Sequence, residues 1–152
     1  MGIINTSVDG VLMTNLKRID VAGGDIFHAM KASSQGYCGF GEAYFTTITP
    51  GSIKSWKQHF SMTLNLVVIS GKVKFVLFDD RDGSCTKSMY QTVLLGPSTE
   101  YGRLTVPPLV WMAFQCVGQE LGIILNIANI EHLPSEAARK DIYEIPYNWS
   151  AE

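Results

Sequence analysis

Cysteine, charge and long apolar stretches are all scarce in this chain of 152 residues, and each scarcity excludes something. Cysteine occurs three times, as Cys38, Cys85 and Cys116, with no C-x-x-C pair. An odd, scattered set is not a disulfide framework, and it points to a reducing cytoplasm. Cys116 lies in an apolar run and reads as a small core residue. Charged residues make up 17% of the chain, with a net charge of -2 and no long basic run. That argues against a nucleic-acid partner. No apolar run reaches the roughly 18 residues of a membrane span. No basic segment precedes an apolar one at the N-terminus, so neither membrane association nor secretion is expected. Gly2 with Thr6 fits an N-myristoylation pattern, but matches this short arise by chance. The chain also lacks a nucleophile elbow, a P-loop and a Rossmann glycine run; Gly23-Gly24 is only a turn signal.

What is present is an ordinary globular composition, 46% hydrophobic, in a length that suits one domain with one core. From Gly41 onward the chain reads as short strands separated by turns. Ala43–Thr49 is rich in aromatic and β-branched residues and is broken by Pro50-Gly51. Leu64–Ile69 follows, and Ser70-Gly71 makes a tight turn into Val73–Phe78. There Val73, Phe75 and Leu77 share a face. Asp79–Ser84 is a polar tip. Met89–Leu95, Arg103–Val106, Val110–Val117 and Leu121–Ile130 are further strands. Strands at spacings near ten residues predict an all-β sandwich or barrel. Ser135–Ile142 reads as one short C-terminal helix, with Pro134 placed well for its start. Residues 1–40 are less regular and are expected to pair at the barrel edge or with a neighbouring subunit.

The strongest local pattern is Gly51-Ser-Ile-Lys54-Ser-Trp56-Lys57-Gln-His59, then Leu64, then Gly71. Its spacing resembles the first cupin motif, in which a glycine precedes two histidines, a glutamate and a second glycine. Lys57 and His59 stand at the histidines and Leu64 at the glutamate. A second cupin motif is echoed in Pro107-Pro-Leu-Val-Trp111-Met112, where Met112 replaces the last histidine. Lys57 and His59, two positions apart on a strand, share a face. Only His59 is left of a metal-ligand set, because a protonated lysine and a leucine do not bind a metal, so no metal is expected. His28 and His132 sit in no ligand pattern.

From Ile26 to Trp149 the chain resembles the dTDP-4-dehydrorhamnose 3,5-epimerase family. The resemblance is carried by Gly51–Trp56, by Val68-Ile-Ser-Gly-Lys-Val-Lys-Phe-Val-Leu-Phe-Asp-Asp-Arg81, by Leu104-Thr-Val-Pro-Pro-Leu-Val-Trp111 and by Glu144-Ile-Pro-Tyr-Asn-Trp149. It implies a single cupin domain over 1–152, an antiparallel jelly-roll barrel, a homodimer, no cofactor, and a nucleotide-linked 4-keto-6-deoxy sugar as ligand. The implied chemistry is enolisation. The ketone at C4 acidifies its neighbouring C–H groups, a base removes a proton, a donor holds the enolate and an acid returns the proton. In such families a histidine base is supported by an aspartate and faces a tyrosine acid. Here those places fall on Lys57, Asp141 and Leu125. The family lysine falls near Leu64, and its diphosphate-binding arginine falls near Lys54, which keeps the charge and loses the fork.

The candidate catalytic residues are therefore Lys57, as base or enolate cation, His59 as its acid–base partner, and Tyr44 as proton donor. Lys54, Asn65, Arg103, Met112, Asn126 and Glu42 are candidates for substrate binding. Asn65 and Asn126 interrupt apolar strands, and an inward amide needs a partner that a ligand can supply. Three functions stay open: an altered epimerase or isomerase, a sugar-nucleotide-binding cupin without catalysis, and a structural partner in a sugar-modifying assembly. Each of these residues also has a plainer reading, as packing or as surface charge.

Overall fold

The computed structural model describes residues 3–4 and 7–150; Gly2 and Thr6, of the N-myristoylation pattern, lie outside them. Thirteen strands form along the described chain: β1 Ile3–Ile4, β2 Leu12–Asn15, β3 Arg18–Ile19, β4 Ile26–Phe27, β5 Glu42–Ile48, β6 Ile53–His59, β7 Leu64–Ser70, β8 Val73–Phe78, β9 Tyr90–Leu95, β10 Gly102–Val106, β11 Trp111–Cys116, β12 Gly122–Ala128 and β13 Ala137–Arg139. Two antiparallel sheets carry the fold, one in the order β1-β2-β10-β7-β12-β5 and the other β13-β6-β11-β8-β9. β3 and β4 form a separate two-stranded ribbon. The molecule is all-β, as its strand-and-turn pattern predicts. No helix among the described residues is long and apolar enough to cross a membrane.

Alternation along the strands builds the core. Leu64, Leu66 and Val68 of β7 face Phe75 and Leu77 of β8, Leu104 and Val106 of β10 and Ile124 of β12, all buried in one cluster. Large side chains held this completely make the interior costly to hollow, and Phe75→Ala would cost about 3–5 kcal/mol. The Ser70-Gly71 turn forms as predicted, but it carries the chain from one sheet to the other rather than closing a hairpin. Gly71 there has φ +76°, and a Cβ would lie 2.8 Å from the Leu121 carbonyl.

A second cluster covers the outer face of the second sheet. Trp56, Val76, Trp111 and Ala113 project outward and are capped by Ile145, with Tyr147 and Trp149 alongside.

The expected C-terminal helix does not form. Pro134–Glu136 makes a single 3-10 turn, and the chain then extends into β13, which pairs Ala137, Ala138 and Arg139 with His59, Gln58 and Lys57. Eight residues barely repay helix nucleation, whereas the open edge of β6 offers backbone partners at once. Within the described part of the N-terminal segment, β2 pairs with β10 and β1 with β2, at one edge of the first sheet.

Candidate functional site

Two strands from opposite sheets supply most of the chemistry. β6 contributes Lys54, Lys57 and His59, and β5 contributes Tyr44. They line one cavity of about 880 Å³ between the sheets, with apolar walls that include Leu66, Phe75 and Met112.

Simple alternation would place Lys54 on the face opposite Lys57. The register with β11 changes this. Met112 pairs with Lys57 and Phe114 with Lys54, so two steps on β11 match three on β6. The extra residue is a β-bulge, which re-aims the side chains around it. Lys54, Lys57 and His59 thus all line the cavity, while Trp56 between them, which also borders it, packs in the outer cluster and is 1% exposed.

The two lysines differ in environment. Lys54 is exposed and its ammonium donates to the Thr47 carbonyl at 2.9 Å. Lys57 is half-buried, and its ammonium has no hydrogen bond or ion pair among the described residues. Burial lowers its pKa, and the Arg139 guanidinium on the paired strand lowers it further. His59 is 6% exposed. Burial first and the charge of Lys57 second push its imidazole down to about 4, against a weaker pull from Glu136. Its Nδ1 is buried without a partner among the described residues. At neutral pH His59 is therefore an uncharged imidazole.

Across the cavity, Asn126 is the cross-strand partner of Tyr44, and its Nδ2 donates to the Tyr44 hydroxyl at 2.8 Å. Because that oxygen accepts, its own proton is free to point at a ligand. The Asn126 Oδ1 is buried and unpartnered among the described residues.

Lys54, Lys57, His59, Tyr44, Met112 and Asn126 are brought together; Asn65, Arg103 and Glu42 are not. Asn65 lies on the outer face of β7, where its amide donates to the Gly36 carbonyl at 3.0 Å and its oxygen accepts from Thr105 at 2.6 Å. Arg103, 1% exposed, clamps the Ala29 and Gln35 carbonyls at 2.7 and 2.9 Å. Both polar side chains satisfy the N-terminal loop and do not reach the cavity. Glu42, at the end of β5, accepts the His132 backbone N–H at 3.0 Å. Leu125, expected from the resemblance at the tyrosine place, pairs with Phe45, which is 68% exposed. Asp141 lines the cavity, but its carboxylate accepts from the Tyr143 backbone N–H at 3.1 Å.

Arg139 is the site residue that the sequence conceals. It lines the cavity beside Lys57 only because residues 137–139 form a strand. Lys140 also borders the cavity, with its ammonium 5.1 Å from the centre of the Trp111 ring. Among the described residues no group of three or more His, Cys, Asp or Glu converges on a metal-sized space.

No family model matches the chain. The structure is similar to that of a dTDP sugar isomerase from Desulfovibrio desulfuricans G20, with 32% identity and TM-score 0.94 over 98% of this chain and 96% of that one. It shares its fold with a dTDP-6-deoxy-D-glucose-3,5-epimerase from Legionella pneumophila in complex with dTDP-4-keto-L-rhamnose, at 16% identity and TM-score 0.83, over 97% and 82% of the two chains. A probable low-salt glycan biosynthesis epimerase of Haloferax volcanii is 25% identical over 115 residues, 72% of this chain and 73% of that protein.

Proposed function

The chain belongs to the family of cupin-fold dTDP-sugar epimerases and isomerases, and from that premise we propose that it epimerises or isomerises a nucleotide-linked 4-keto-6-deoxy sugar by enolisation beside the ketone. One observation carries this reading: Lys57 and His59 enter a largely apolar cavity from one sheet while Tyr44 enters from the other. A sugar ring between them would have a base on one side and a proton donor on the other. Lys57 meets the ketone, the neutral His59 takes the α-proton, and Tyr44, its oxygen held by Asn126, returns one. Lys54 and Arg139 give the opening a positive edge suited to a diphosphate. The relative named a dTDP sugar isomerase supports a nucleotide-linked sugar as substrate, and the one named a probable glycan biosynthesis epimerase supports the reaction type.

The reading includes a homodimer. β5 is the last strand of its sheet, and its outer face carries the exposed Phe45. The unpaired Cys38, Cys85 and Cys116 suit a reducing cytoplasm.

Solvent-deuterium exchange tests the reaction, with a panel of nucleotide-linked 4-keto-6-deoxy sugars. Deuterium should enter a carbon next to the ketone, and the rate should fall about 10²–10⁴-fold in His59→Ala. Saturable binding without exchange would instead make the protein a binding cupin, and no binding would leave a structural role.

A further inference from the structure

We infer that Lys57 is a covalent catalyst, condensing with the sugar ketone to form an imine; the inference rests on the keto-sugar reading of this cavity. The geometry sets Lys57 apart from every other lysine near the site. It rises from the cavity wall between Met112 on β11 and Arg139 on β13. The charged and titratable groups around it are Arg139 on β13, His59 and Lys54 along β6, Lys140 and Asp141 just beyond β13, and Tyr44 across the cavity. None of the described residues pairs with its amine. Lys54, by contrast, is exposed and tied to the Thr47 carbonyl. A half-buried amine beside a guanidinium, with no carboxylate bonded to it, gives up its proton more easily than a solvated lysine does, and burial and Arg139 both push in that direction. An unprotonated amine in a ketone-binding cavity is a nucleophile.

The steps balance without an oxidant or reductant. The lone pair of the Lys57 nitrogen forms a bond to the carbonyl carbon, and the carbonyl π pair moves to oxygen, which takes up a proton. The resulting carbinolamine passes its extra nitrogen proton to the hydroxyl, which leaves as water while the nitrogen lone pair forms the C=N bond of an iminium ion. His59 then accepts a proton from the adjacent carbon and the C–H electron pair flows toward nitrogen, giving an enamine. Return of a proton to carbon restores the iminium, and water releases the ketone product and the free amine. This route also accounts for the environment of His59. An imidazole held down to about 4 is a weak base. It is poorly matched to the α-proton of a plain ketone and much better matched to that of an iminium.

The test uses the full chain with a dTDP-linked 4-keto-6-deoxy sugar and sodium cyanoborohydride near neutral pH, which reduces an iminium in preference to a ketone. Intact-mass and peptide mass spectrometry should find one reduced sugar-nucleotide adduct, on Lys57. Lys57→Arg keeps the charge and cannot form an imine. It should fold with an unchanged circular dichroism spectrum, yield no adduct and lose deuterium exchange at least 100-fold. Three results would overturn the inference: exchange in the native protein with no adduct, an adduct on Lys54 or Lys140 instead, or exchange in Lys57→Arg within tenfold of native. The first leaves the keto-sugar reading standing. Absence of both exchange and adduct removes that reading and the imine together.

Discussion

The side chain of Asn126 donates to the Tyr44 hydroxyl at 2.8 Å, joining two neighbouring strands of one sheet at the cavity surface. The phenol oxygen is thereby fixed while its proton is left for a bound sugar. Tyr44→Phe removes that proton and should lower kcat/KM about 10²-fold or more. Asn126→Leu keeps the tyrosine and should cost about tenfold, since only orientation is lost. Steady-state kinetics on the two variants check the order, which reverses if Asn126 rather than Tyr44 touches the reacting atoms.

The imidazole of His59 should titrate at about 4, far below an ordinary histidine. Between pH 6.5 and 4 the unfolded chain binds a proton that the folded one refuses, so stability falls as pH falls through this window. At about 1.4 kcal/mol per pH unit, the loss at pH 4 is about 3 kcal/mol. NMR titration of the imidazole, with urea unfolding at pH 7 and pH 4.5, checks both parts. A histidine that titrates near 6.5 would contradict them.

Arg103 was expected to meet substrate and instead holds two carbonyls of the N-terminal segment. Arg103→Met should destabilise the fold by about 3 kcal/mol, because two charge-assisted hydrogen bonds vanish and the Ala29 and Gln35 carbonyls lose their donors. At a temperature where the variant is folded, its KM should match the native value. Thermal unfolding and kinetics together separate this from a substrate-binding role.

Asp79 lies fully buried at the end of β8 and accepts from Arg81, Ser84 and Thr86. Arg81 also donates to the Asp9 carbonyl at 2.7 Å, tying in the N-terminal segment. Hydrogen bonds from Arg81 above all hold the Asp79 carboxyl well below the usual carboxylate range. Its stabilisation is complete above pH 4, the unfolded value, and is lost as pH falls through the lower folded value. Asp79→Asn should cost about 2–4 kcal/mol at pH 7 and flatten the acid limb of the stability curve. Denaturant unfolding from pH 7 down to pH 2.5 would show it.

The strands were legible because apolar alternation is a local signal, and so was the placement of Lys57 and His59 on one face of their strand. What escaped is set by partners distant in sequence. Ser135–Ile142 looks helical by composition, but the unpaired edge of β6 draws residues 137–139 into β13, and with them Arg139 into the cavity. The bulge that turns Lys54 inward exists only in the register between β6 and β11. Asn65 and Asn126 look alike as interruptions of apolar strands. They lie on opposite faces, because Asn65 alternates with core-facing Leu64 and Leu66 whereas Asn126 stands opposite Tyr44. One residue of parity separates a loop anchor from a cavity residue.

β13 and the tail beyond it form one continuous strap. Its first residues close the cavity beside Lys57, and Ile145, Tyr147 and Trp149 grip the tryptophans on the back of the same sheet. One segment therefore covers both surfaces of the sheet. Slippage of the rear aromatic anchor would let the front wall peel from β6, uncovering the amine and imidazole to bulk water and restoring their ordinary basicity.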